Sequence, residues 1–118
     1  MRILICALFL AGCAQAKEEK PAQATVAVTP DAAELFRVNC SQCHRPNKDL
    51  VAPALKNVRE RWSDQEKLYR FIRNSQEVIK EDKYARDLFK KWNNAYMQPF
   101  PGLTDDEIKS ILDYADSQ

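Results

Sequence analysis

Cys40-Ser41-Gln42-Cys43-His44 is the stretch on which the reading of the whole chain turns. Two thiols three positions apart at the end of a helix can reach both vinyl groups along one haem edge, and the next residue can swing its imidazole beneath the iron. The pattern therefore supplies two thioether bonds and one axial ligand. Two other uses of such thiols stand beside this one. A thioredoxin-like redox pair needs a strand-helix-strand setting, and the chain shows little of the apolar-polar alternation that marks strands. A structural zinc site wants four ligands, and His44 is the only histidine. The chain has four cysteines. Cys6 lies in an apolar amino-terminal stretch expected to be removed, and Cys13 closes that stretch. No pair is left for a disulfide framework.

Length and composition narrow the class. Of the 118 residues, the part from about Pro30 onward is left to fold once the leading segments are set aside. That is small for a hydrophobic core, and a haem would add a large apolar body to it. With 45% hydrophobic and 30% charged residues the chain has the composition of a globular domain. The net charge of +1 falls to zero if Arg2 is lost, so no basic field exists to attract nucleic acid.

Met1-Arg2 is a short positive start, and Ile3 to Leu10 is an apolar run too short to span a bilayer, as expected for the core of a signal peptide. It ends in Leu10-Ala11-Gly12-Cys13, which resembles the lipobox of bacterial lipoproteins. The resemblance implies that residues 1–12 are cut away and that Cys13 carries a diacylglyceryl group. An ordinary secretory signal cut near Ala14 or Ala16 is the alternative. Residues 13–29 then form the lipidated cysteine and a tether without large side chains to pack. Residues 30–118 form the folded domain.

Along that domain the periodicity predicts helices. Thr29-Pro30-Asp31 suits a helix start, with threonine capping and proline at the first helical position. Leu35, Phe36, Cys40 and Cys43 follow at helical spacing. After a turn-rich loop at Arg45 to Asp49, a short helix is expected over Ala54–Trp62. Ser63-Asp64-Gln65-Glu66 reads as a capping box for a longer helix carrying Leu68, Phe71, Ile72, Ser75 and Ile79 on one stripe. Another helix is predicted near Asp82 to Trp92. Trp62, Trp92 and Tyr96 are candidate donors to a haem propionate, with plain packing the commoner role. Ala95 to Pro101 contains prolines that forbid a helix and holds Met97, the only methionine besides Met1. Thr104-Asp105-Asp106-Glu107 is a second capping box, ahead of the apolar face Ile108, Ile111, Leu112 and Ala115.

Taken together, Phe36 four residues before Cys40, the Cys40–His44 motif, the loop holding Met97 and the final helix resemble class I cytochromes c. The resemblance runs from about Pro30 to Ala115, weakest between Arg59 and Asn94, and departs from the family pattern where alanine stands at positions 32 and 52. It implies an all-α fold of four to five helices around one covalently bound haem c, with iron ligated by His44 and Met97. It also implies that the Pro53 carbonyl holds the outer nitrogen of His44. The expected function is transfer of single electrons between redox protein partners, by a membrane-anchored monomer on the periplasmic side of a bacterial envelope. A haem peroxidase or gas sensor with a displaceable Met97, or a fixed subunit of a larger oxidoreductase, are the alternative functions.

Overall fold

In the computed structural model, which describes residues 31–118, helix α1 (Ala32–Asn39) begins where Asp31 accepts a hydrogen bond from the Ala33 N–H at 3.3 Å. The cap thus falls at Asp31, two residues later than the expected threonine. A carboxylate there answers orphan N–H groups and the positive end of the helix dipole together. Thr29 and Pro30 lie outside the described residues, as do the expected signal segment, Cys13 and the tether.

Four further α-helices follow: α2 (Gln65–Arg73), α3 (Ser75–Glu81), α4 (Lys83–Lys91) and α5 (Asp105–Ser117). No strand occurs among the described residues, so the fold is all-helical. Three local expectations need correction. The helix foreseen over Ala54–Trp62 is only a 3-10 turn at Val58–Arg61. Asn57 enters it with a left-handed φ of 55° and gives its N–H to Asp116 of α5 at 2.7 Å, while Arg59 grips Asp113 and Asp116 at 2.9 and 2.7 Å. Contacts to α5 thus replace the bonds of a regular helix. Next, α2 is capped by Asp64, which accepts from the Glu66 N–H at 2.9 Å, and not by Ser63. Lastly, the stripe from Leu68 to Ile79 does not belong to one helix. Asn74 leaves helical geometry at φ −157° and ψ 89°, and the chain bends there into α3.

The capping box expected at Thr104 stands, and the helix expected near Asp82 starts on a cap that Asp82 itself supplies. Asp82 accepts from the Ala85 N–H at 2.9 Å, and Thr104 and Glu107 exchange bonds at 3.2 and 2.9 Å.

The core has two parts. Leu35 and Phe36 of α1 pack on Ile111 and Ala115 of α5, with the Phe36 and Tyr114 rings 5.4 Å apart, so the first and last helices bury each other's apolar faces. Val58, Trp62, Leu68, Tyr69, Val78, Ile79, Ala85, Ile108 and Leu112 form the second part. Each fully buried aliphatic side chain contributes about 1.5–3 kcal/mol. The helices between α1 and α5 thereby become the walls of a cavity.

Candidate haem-binding site

The thiols ride on the turns that follow α1. Cys40 is the C-cap of the helix, its N–H bonded to the Phe36 carbonyl at 2.9 Å, and the chain then curls so that the His44 N–H reaches the Cys40 carbonyl at 2.9 Å. Cys40 is half-buried and Cys43 exposed, and both are free thiols. Burial pushes the Cys40 thiol up to about 11, so it is protonated at neutral pH. Among the described residues no three His, Cys, Asp or Glu side chains gather in a way that could hold a metal ion, which disfavours zinc. The absence of strands there likewise removes the setting a thioredoxin-like pair would need.

His44 is buried, and its Nδ1 lies 2.7 Å from the Pro53 carbonyl oxygen. A carbonyl only accepts, so Nδ1 carries the proton and Nε2 keeps its lone pair. Burial lowers the imidazole's pKa, Arg61 lowers it further, and the Pro53 bond partly opposes both. The ring is therefore neutral at pH 7, in the state required of a metal ligand. Pro53 is placed by bonds that close on themselves: Asp49 Oδ1 accepts from the Ala54 N–H at 2.8 Å, and the Leu55 and Lys56 N–H groups return to Arg45 and Pro46 at 3.1 and 2.9 Å.

Met97 sits in the irregular segment after α4. Trp92 ends that helix, and Asn93 and Asn94 then turn the chain with left-handed φ of 58° and 56°. The Ser75 hydroxyl donates to the Met97 carbonyl at 3.1 Å, and the Phe100 N–H donates to the Arg73 carbonyl at 3.1 Å.

Cys40, Cys43, His44, Pro53 and Met97 all line one cavity of about 290 Å³, whose walls include Leu68, Phe71, Ile79, Phe89, Ile108 and Leu112. Protein interiors pack closely, so an apolar cavity of this size is larger than a packing gap and makes this the candidate binding site. Its one polar oddity is Trp92, whose buried Nε1 has no hydrogen-bond partner. An unpartnered buried N–H costs about 1–3 kcal/mol, so a polar group brought by a ligand suits it. Trp62 packs against Phe71 and Tyr84 with ring centres 4.9 and 5.1 Å away, and exposed Tyr96 stacks on Phe89 at 4.5 Å. An apolar volume, two thiols, a neutral imidazole with a free Nε2 and a buried donor together fit a haem.

An all-helical chain that gathers these groups around one apolar cavity has the construction of a c-type haem protein. Comparison makes this specific: residues 30–118 match the family described as "Cytochrome c", and the chain belongs to that family. Its fold is similar to a solved structure, the cytochrome c from Rhodothermus marinus, with a TM-score of 0.62 and 22% identity over 74% of this chain and 72% of that one. A search of curated protein sequences finds no match. Membership of the family implies a covalently bound c-type haem with its iron, and haem-based electron transfer as the general chemistry.

Ser75 is the residue near the site whose role the sequence does not show: its place on the inward stripe agrees with its 1% exposure, but its hydroxyl reaches the Met97 backbone. The available signal was a polar residue standing among Leu68, Phe71, Ile72 and Ile79.

Proposed function

We propose that the chain is a single-electron carrier in which Cys40 and Cys43 form the thioethers and His44 and Met97 ligate the iron. The observation that carries this reading is the Nδ1 contact of His44 with the Pro53 carbonyl at 2.7 Å, in a cavity that Met97 also lines. Haem bound in this way supplies an iron that alternates between ferric and ferrous, with a potential raised by thioether ligation. Pro53 orients the imidazole and raises its basicity. Neutral His44 presents Nε2 without first losing a proton. Met97 would hold the iron together with His44 and so keep small molecules from it, and the apolar walls of the cavity exclude water. These roles favour electron transfer with little rearrangement over chemistry on a bound substrate.

The test is the sixth position. Ferric protein is expected to show the weak near-infrared band of sulfur-ligated low-spin haem, and ferrous protein to bind carbon monoxide poorly near neutral pH. Met97→Ala should abolish the band, lower the potential and open the iron to carbon monoxide. Rapid, complete binding by the unmutated protein, unchanged in Met97→Ala, would replace the carrier by a peroxidase or sensor.

The segment ending at Cys13 supports a lipid anchor that holds the domain to a membrane of a bacterial envelope, on the periplasmic side. Two or more acyl chains at about 0.8 kcal/mol per buried CH₂ give stable anchoring. The tether then lets a monomeric domain reach protein donors and acceptors. Cys13→Ser is expected to yield soluble protein that is still red; an intact mass with a free amino terminus at Ala14 or later would remove the anchor from this reading.

A further inference from the structure

The segment that holds Met97 has few ties of its own. Pro99 and Pro101 lack N–H groups, and the backbone bonds nearest to Met97 are Ala95 to Trp92 at 3.0 Å on one side and Phe100 to Arg73 at 3.1 Å on the other. What reaches it from the body of the fold is the elbow Arg73-Asn74-Ser75. Because Asn74 leaves helical geometry, the Arg73 carbonyl is free of the α-helical ladder and accepts from Phe100. In an unbroken helix that carbonyl would bond four residues onward. Ser75, buried at 1% exposure, donates to the Met97 carbonyl itself. The Arg73 side chain extends the same grip, with Nε on the Leu103 carbonyl at 2.9 Å and the guanidinium on Asp105.

We propose that Ser75 is a positioning residue for Met97: the break at Asn74 exists so that Ser75 and Arg73 can pin the ligand loop, and the Ser75 hydroxyl controls how readily the Met97 sulfur leaves the iron. The inference rests on the His44/Met97 reading given above. A buried hydroxyl in van der Waals packing alone would leave its own donor unpaired, which the Met97 carbonyl prevents. Removing the hydroxyl leaves that carbonyl without this partner and frees the loop near the sulfur.

The experiment uses the full-length haem-loaded protein and reads carbon monoxide binding to the ferrous form, the near-infrared band of the ferric form, and thermal melting. Ser75→Ala should retain covalent haem and helical content, while carbon monoxide binds roughly tenfold faster, the change expected from one lost hydrogen bond with a carbonyl left unpaired. Ser75→Thr keeps a hydroxyl and should restore slow binding. Val78→Ala is the control, since Val78 is equally buried on α3 but does not line the cavity. It should lower the melting temperature and leave carbon monoxide binding unchanged. If Ser75→Ala binds as slowly as the unmutated protein while Met97→Ala binds fast, the positioning role is wrong and the ligation stands. If Val78→Ala speeds binding as much as Ser75→Ala, the effect is general loosening and the proposal is overturned. If Met97→Ala itself changes nothing, the ligation reading is what has failed.

Discussion

The His44 arm and the Met97 arm of the cavity reach it by opposite routes. Cys40, Cys43 and His44 lie within five residues, their turn closes on itself through the Cys40 carbonyl, and the three residues after Pro53 are bonded to Asp49, Arg45 and Pro46. Met97 stands beyond two left-handed asparagines and is tied to the body by Ser75, twenty-two positions earlier. One arm carries its own geometry; the other borrows it from α2 and α3. The His44 arm should therefore tolerate damage elsewhere in the fold, whereas the Met97 arm should report it.

The largest expected effect breaks the self-contained arm. Cys40→Ala combined with Cys43→Ala should abolish haem staining on a denaturing gel and, with the apolar cavity left unfilled, remove the cooperative melting transition. A folded double variant containing zinc in place of iron would undo the haem assignment.

A smaller change should separate the arms. Asp82 caps α4, the helix that launches the Met97 segment, and pairs with Lys67 of α2 at 2.9 Å. Asp82→Ala is expected to cost about 1–2 kcal/mol in denaturant melts through loss of the cap. It should loosen Met97, seen as a weaker near-infrared band, before haem attachment suffers. Equal loss at both arms would mean that the fold responds as one unit.

Backbone strain sharpens the same contrast. Asn93 and Asn94 occupy the left-handed region, where asparagine is tolerated and most residues are penalised. Asn93→Ala should destabilise by about 1 kcal/mol, while Asn93→Gly should be neutral or stabilise by about 0.5 kcal/mol. Chemical denaturation of both variants checks the order.

The smallest effect is one of pH. The Ala85 N–H, and after it Lys67, hold the Asp82 carboxyl below its ordinary range. The unfolded chain then binds this proton at a higher pH than the folded one does. The stabilisation is complete above the ordinary aspartate value and is lost as pH falls through the depressed folded value. Asp82→Asn keeps an oxygen for the cap and loses the charge, so it should be slightly less stable than the parent near pH 7. The difference should vanish on acidification; a constant difference would show that the charge has no part.

The contrast between the arms also marks how much was legible in the sequence. The Cys40–His44 motif, the Thr104 capping box and the apolar faces of α1 and α5 could all be read, because each depends on partners within a few positions or on a repeat of three and four. The family likeness that suggested Pro53 and Met97 drew on the same local patterns. The corrections at Asp31 and Asp64 are shifts of one or two residues between neighbouring side chains that can all cap a helix.

What no window of sequence could supply were the choices made between distant segments. The 3-10 turn at Val58–Arg61 stands where a helix was expected, held by Asp113 and Asp116 more than fifty positions onward. The stripe from Leu68 to Ile79 satisfies a single helix in apolar pattern alone. It breaks at Asn74 where the Arg73 carbonyl and the Ser75 hydroxyl find partners in Phe100 and Met97. Backbone polar groups must be paired when buried, and a tertiary partner satisfies them as well as the next turn of helix does. Neighbours along the chain therefore decided how the two thiols and the imidazole are grouped, and packing decided how the Met97 segment is held against the cavity.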